Sequence, residues 1–262
     1  MAVQKTTIVY RALHAFLSVA SVVLALIAWE ILARLNVVSN FLLPSLSDVL
    51  VRIYTQALSG QVFSDLGFTV WRAFAGFVLA GIFGVLIGLM VTRNRVVRWF
   101  FDPLISVGLP APKIAFLPVF ILWFGLFDTA KILMAAFAAI FPVIGASAAG
   151  AEGVDKFLVW SARSAGATER QVLGEIILPA ALPQILTALQ VALPICLIVT
   201  IVSEMTMGGD GLGASMLNSA RFADSVGVFA GIVEVAITGF VLIRSLELLR
   251  ARLLRWHQES QS

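Results

Sequence analysis

Residues 164–185 read SAGATERQVLGEIILPAALPQI, a stretch out of character with its surroundings. Long apolar runs lie on both sides, yet here the chain places Thr168, Glu169, Arg170, Gln171 and Glu175 ahead of Pro179 and Pro183. Gly166 suits a helix C-terminus, because glycine accepts the left-handed geometry that closes one. Thr168 followed by Gln171 fits the Ser/Thr-x-x-Glu/Gln capping box that opens a second helix. Val172, Leu173, Ile176 and Ile177 then share a face. Pro179 disfavours helical backbone at Leu178 and predicts a stop there, and Pro183 punctuates the approach to the next apolar run. A preceding helix over Val154–Ala165, with Asp155 favourably placed for its dipole, completes a helical hairpin. The second helix has about nine residues, roughly 14 Å. That is too short to be stable alone, so its apolar face needs a surface. Two are available: the helix ends of its own subunit, or a groove on a separate protein.

The flanking runs set the context. The chain has 262 residues, is 60% hydrophobic and only 13% charged, with a mean hydropathy of +0.99. Soluble domains carry about twice that charge, so the balance belongs to an integral membrane protein. Six stretches reach the length of about 20 apolar residues that crosses a bilayer as a helix: Leu13–Leu35, Thr69–Val91, Leu104–Phe127, Ala130–Ala151, Ile185–Met205 and Val226–Leu246. The first is too long for a signal-peptide core and is read as a retained helix. With the N-terminus inside, twelve Lys and Arg residues collect on the cytoplasmic side, against Arg34, Arg52, Arg72, Lys131 and Arg221 outside. Such an excess predicts both termini in the cytoplasm, with residues 152–183 as an inner loop. A pI near 9.4 is then explained by orientation, and no nucleic-acid partner is expected. Cys196 is the only cysteine, which excludes an intrachain disulfide and a thiolate cluster, and His14 and His257 stand at opposite ends of the chain; no metal site is expected.

Within the second span Gly76, Ala80, Gly84 and Gly88 recur every fourth position and fall on one helical face, where another helix can approach closely. Packing inside one subunit is the simpler reading of that ladder. Pro110, Pro112 and Pro118 in the third span, and Pro194 in the fifth, predict kinked or interrupted helices. Broken helices are tolerated in lipid where they pack on protein or line a cavity, which favours transport over passive anchoring.

Gly166, nine residues, Ile176, one residue, then Leu178-Pro179 is similar to the signature loop of permease subunits of binding-protein-dependent ABC importers. In that signature Glu-Ala-Ala precedes the glycine; here the positions read Trp160, Ser161 and Ala162, so the first two differ. FLLPSLSDVL (Phe41–Leu50), PKIAFLPVFILWFG (Pro112–Gly125) and SEMTMGGDGLG (Ser203–Gly213) resemble segments of the nitrate/sulfonate/taurine-type permeases, in order along the chain. The resemblance implies an all-α, six-span permease of the type I, methionine-importer-like fold, with residues 1–262 as one transmembrane domain in the bacterial inner membrane. It implies a second permease copy, giving a homodimer, a cytoplasmic ATP-binding subunit and an extracytoplasmic solute-binding protein. ATP and magnesium would sit on the ATPase, and this chain would bind no cofactor. Coupling to the ATPase would fall to Gly166, Ala167, Thr168, Gln171, Ile176, Leu178 and Pro179. The solute would be small, of the class of sulfonates, taurine, nitrate or bicarbonate.

Other chemistries fare worse. GGDGLG (Gly208–Gly213) lacks the Gly-Lys-Ser/Thr that completes a phosphate loop and reads as a flexible outer turn, so the chain is not expected to hydrolyse ATP. Gly145-Ala146-Ser147-Ala148 resembles an intramembrane protease motif, but neither histidine follows in a later span to serve as base. An ion-coupled secondary transporter is the alternative; it would show paired ionisable groups in the membrane and commonly a repeat. Lys113, Pro118 and Glu204 are the pathway candidates. Lys113 either snorkels from a broken helix or offers charge to an anion. Glu204 is either interfacial or a polar group of the pathway. Glu234 sits deeper and should face protein or water.

Overall fold

A computed structural model of the protein describes residues 20–35 and 37–254. The start of the first expected span, both histidines and three of the basic residues counted for orientation (Lys5, Arg11 and Arg255) lie outside that range. The described residues are helical: 20–34 (α1), Leu46–Leu58 (α2), Gln61–Arg93 (α3), Arg95–Gly108 (α4), Leu117–Phe124 (α5), Asp128–Glu152 (α6), Lys156–Ser164 (α7), Glu169–Gln171 (α8), Leu178–Met207 (α9), Leu212–Arg221 (α10) and Ser225–Leu253 (α11). A 3-10 turn, Lys113–Phe116, precedes α5, and a π-helical segment, Val172–Ile177, joins α8 to α9.

Among the described residues four helices are long and apolar enough to span a bilayer: Gln61–Arg93, Asp128–Glu152, the continuous Glu169–Met207, and Ser225–Leu253. A fifth candidate is the pair Arg95–Gly108 and Lys113–Phe124, bent by 104°. That break falls at Leu109–Pro112, within the third expected span, where Pro110 and Pro112 withhold two backbone donors.

The chain divides into two compact units. One comprises the described residues through Val62 together with Met216–Glu234, the other Phe63–Ser215 and the described residues from Val235 onward. In the first unit Trp29 stacks obliquely on Phe229 at 5.7 Å and donates its indole N–H to the Pro44 carbonyl at 3.0 Å. Arg52 pairs with Asp224 there.

The second unit is built on α3, α6 and α9. The small-residue ladder seats α3 on α6 of the same chain. A Cβ at Gly84 would stand 2.8 Å from Val143, and one at Gly88 would stand 2.7 Å from the Ile144 carbonyl and from Ser147. Ala80, Ala130, Met134, Ala135, Ala138, Ala139, Val143, Ala192, Cys196 and Val199 form the core between these helices. Small residues bring the backbones together where lipid supplies no hydrophobic drive for association.

The expected helix stop at Pro179 does not occur. The helix opened by Thr168 continues for 39 residues to Met207. The Leu178 N–H bonds the Leu173 carbonyl five residues back. This wide turn shifts the hydrogen-bond register just before Pro179, which enters at the start of α9, where a missing N–H is tolerated. Pro194, expected to kink or interrupt its helix, lies inside α9 without interrupting it.

Candidate functional site

Three polar features stand out on the second unit. On α3, Arg72 and Arg93 are separated by 21 residues, or roughly 31 Å of helix, about the thickness of the hydrocarbon core of a bilayer. Two charged layers gather at these levels.

The layer near Arg93 is built by the loop that follows α6. Asp155 caps α7, accepting the Phe157 N–H at 2.8 Å. Gly166 closes α7 with φ +89°, a left-handed conformation, and a Cβ placed there would meet nothing within 4 Å, so only backbone preference demands glycine. The capping box forms: the Thr168 side chain and the Gln171 N–H are 3.4 Å apart, and the Thr168 N–H donates to the Gln171 side chain at 2.8 Å. Glu169 receives Arg163 at 2.9 and 3.2 Å and also pairs with Arg93; Arg98 pairs with Glu152.

The apolar face of the second helix is turned inward. Val172 and Ile177 are buried with Leu89 and Ala151, and Leu173, Val154, Val159, Ala162 and Ala167 pack around them. Of the two surfaces the sequence left open, the subunit's own helix ends take this face. What remains uncovered is α7. Phe157 is 73% exposed, Leu158 54% and Trp160 56%, and the Phe157 and Trp160 rings meet edge to face at 5.5 Å. Of the residues expected to couple to an ATPase, Gly166, Thr168 and Gln171 form the corner between α7 and the second helix, Ala167 packs beside Val172 and Ile177, Ile176 and Pro179 are half-buried and Leu178 is exposed.

The layer at Arg72 was missed by sequence reasoning, which used Arg72 and Lys131 only as topology charges. Arg72 is 2% exposed and Glu204 fully buried. Arg72 donates to Glu204 at 2.7 Å, to Asp128 at 2.9 Å and to the Asp210 carbonyl at 2.6 Å. Glu204 also accepts from the Thr69 hydroxyl at 2.8 Å and the Gly213 N–H at 3.1 Å. Thr69 accepts the Leu212 N–H at 2.9 Å, and buried Lys131 donates to the Gly208 carbonyl at 2.7 Å. The expected flexible turn Gly208–Gly213 is thus tied to α3 and α6. Any side chain at Gly211 (φ +117°) would overlap the Glu204 carboxylate. A spacing rule that paired Thr69 with Arg72, one turn apart on α3, would have hinted at this layer; Asp128 and Glu204 meet them only through tertiary packing.

The third feature is the break between α4 and α5. Lys113 opens the 3-10 turn and donates to the Leu109 carbonyl; Pro118 lies in the first turn of α5 and is exposed. No hydrogen bond or ion pair among the described residues joins Lys113 to Glu204. The three pathway candidates are not brought into one site. Glu234 is buried, at 8% exposure.

Apolar helices of spanning length, broken at mid-chain and flanked by two charged layers a bilayer apart, define a multi-pass transport subunit. Residues 80–255 match the family described as binding-protein-dependent transport system inner membrane component. The chain belongs to that family and is a permease subunit of an ABC importer, a multi-pass inner-membrane protein. It is 32% identical to the taurine transport system permease protein TauC of Escherichia coli (strain K12), over 94% of this chain and 91% of that protein. It is 33% identical to the putative aliphatic sulfonates transport permease protein SsuC of Bacillus subtilis (strain 168), over 87% of this chain and 83% of that one. In fold it is similar to a chain of an amino acid ABC transporter solved with histidines, with a TM-score of 0.60 at 21% identity, covering 77% of this chain and 96% of that one. The inward-facing MetNI methionine transporter matches with a TM-score of 0.57 at 16% identity, over 73% of this chain and 98% of that one. Permeases of this family work with an ATPase and a solute-binding protein.

Proposed function

We propose that the permease carries a small anionic solute into the cytoplasm by alternating access, driven by ATP hydrolysis on a separate subunit that docks on α7. The observation that carries this is the uncovered Phe157–Leu158–Trp160 face, held out by the Gly166 corner and the Arg93–Glu169–Arg163 charge cluster. Large apolar side chains on a charged helical hairpin suit a partner with an apolar cleft. Trp160 stands where the resembling permeases have glutamate, so aromatic burial rather than an ion pair would anchor this contact. Displacing α7 would act on α3 and α6 through Leu89 and Ala151, which favours one of two membrane states by differential binding.

The same reading has residues 1–262 acting as one transmembrane domain with residues 152–183 as the coupling loop, both termini cytoplasmic, two permease copies per transporter, and ATP and magnesium held by the ATPase alone. The solute class follows the relatives, named for taurine and aliphatic sulfonates; nitrate and bicarbonate belong to the same anionic range. The test is co-purification with the cognate ATPase and ATP-dependent uptake into proteoliposomes supplied with the binding protein. Replacing both Phe157 and Trp160 with serine should reduce recovered ATPase at least tenfold while the permease stays monodisperse. Full recovery of ATPase with that variant, or solute uptake that needs an ion gradient and no ATP, would overturn the proposal.

A further inference from the structure

The ends of α3 and α6 frame a pocket of 540 Å³ that α4 and α7 complete. Arg93 and Glu152 are the last residues of two spanning helices, and both line it. That sets the pocket where the hydrocarbon core gives way to lipid headgroups. Arg98 of α4 and Lys156, Trp160 and Arg163 of α7 supply the rest of its polar and aromatic lining.

The lining holds four cations and one carboxylate. Glu152 pairs with Arg98, and Glu169, from outside the lining, is shared by Arg93 and Arg163. Lys156 has no hydrogen bond or ion pair among the described residues, and the neighbouring Asp155 is engaged in capping α7. Two paired carboxylates against four cations leave the pocket electropositive, with one ammonium free to take an anion.

Basic pockets between spanning helices at the cytoplasmic surface suit phospholipid headgroups. Trp160 is half exposed at the same level, where indole rings favour the membrane interface. Along α4, on which Arg98 stands, Val96, Trp99, Phe100, Leu104 and Val107 are all exposed. They recur at helical spacing and form an apolar stripe that a free anion would not use but acyl chains would.

We propose that this pocket holds the phosphate of an anionic phospholipid, with its acyl chains along the α4 stripe, and that the bound lipid ties α7 to the ends of α3 and α4. Lys156, Val159, Trp160 and Arg163 share one face of α7. Phe157 and Leu158 fall on other faces, so the lipid leaves them free for a protein partner. The inference rests on the importer reading only in placing α7 at the cytoplasmic surface.

The experiment uses the full-length permease in nanodiscs of phosphatidylcholine, with and without phosphatidylglycerol, read by native mass spectrometry and hydrogen exchange. Wild type should retain phosphatidylglycerol in preference to phosphatidylcholine, and α7 amides should exchange severalfold more slowly when it is present. Lys156→Gln breaks no internal pair and should weaken retention roughly fivefold, the effect of one cation near an anionic surface. Adding Arg98→Gln should bring the loss to roughly twenty-fivefold, whereas Lys156→Arg should hold the lipid as wild type does.

Equal retention by wild type and Lys156→Gln, equal retention of the two lipids, or α7 exchange indifferent to phosphatidylglycerol would overturn the proposal. So would inorganic phosphate slowing α7 exchange as much in phosphatidylcholine alone, which would assign the pocket to a free anion. Release of the lipid on adding the ATPase would assign it to the partner and overturn the proposal too. Retention is read without nucleotide or solute, so its failure leaves the importer reading standing. Absence of ATP-driven uptake, with the lipid retained, defeats the importer reading alone.

Discussion

Removing Arg72 should destabilise the protein far more than neutralising its main partner. In Arg72→Met the Glu204 carboxylate, which is fully buried, keeps only the Thr69 hydroxyl and the Gly213 N–H. Asp128 is half exposed and can be rehydrated. An uncompensated buried charge of this kind costs about 3–5 kcal/mol. In Glu204→Gln the guanidinium still holds Asp128 at 2.8 Å and the Asp210 carbonyl, so the loss is that of one charge-assisted hydrogen bond, about 1.5–3 kcal/mol. At roughly 2–4 °C per kcal/mol for a chain of this size, Arg72→Met should melt some 6–20 °C below wild type and Glu204→Gln less. The chain supplies its own reporter: Cys196 is the only cysteine and is fully buried, so a thiol-reactive fluorophore in detergent reads unfolding directly. Arg72→Met with Glu204→Leu should recover part of the loss, because the orphaned charge is removed with its partner. A melting point for Arg72→Met within 2 °C of wild type, or above that of Glu204→Gln, would refute the reasoning.

Other substitutions test the remaining contacts. Gly166→Val forces a β-branched residue into a left-handed conformation at a cost of about 1–2 kcal/mol; ATPase recovery should fall, and Gly166→Asn, which tolerates that geometry, should restore most of it. Gly88→Val would press side-chain carbons into the Ile144 carbonyl and Ser147, and a drop of about 1–3 kcal/mol from overpacking should appear in the same melting assay. Gly174→Ala, in the π-helical segment with open space around it, should raise the melting point slightly through the unfolded state, by about 0.4–1 kcal/mol.

Much of this protein was legible in its sequence. The second, fourth, fifth and sixth apolar stretches all fall inside long helices, because a bilayer demands that every backbone group be satisfied within the segment. The capping box at Thr168 and Gln171 and the left-handed Gly166 were equally readable, since both are settled within four residues of chain. The glycine ladder announced a close helix contact, though not its partner.

Pro110 and Pro112 marked the break between α4 and α5 correctly, whereas Pro179 misled. A local rule sees a missing N–H at Pro179, and it cannot see the π turn that carries the helix past it. Glu204 showed the same limit: a carboxylate near a helix end reads as interfacial until Arg72, 132 residues away in sequence, is found beside it. Short-range order and lipid compatibility are properties of neighbouring residues, so the sequence alone determined the helices, their caps and the membrane class. Which charges are paired, which helical face is left bare and where a cavity opens depend on distances between segments far apart in the chain, and those only the tertiary structure decided.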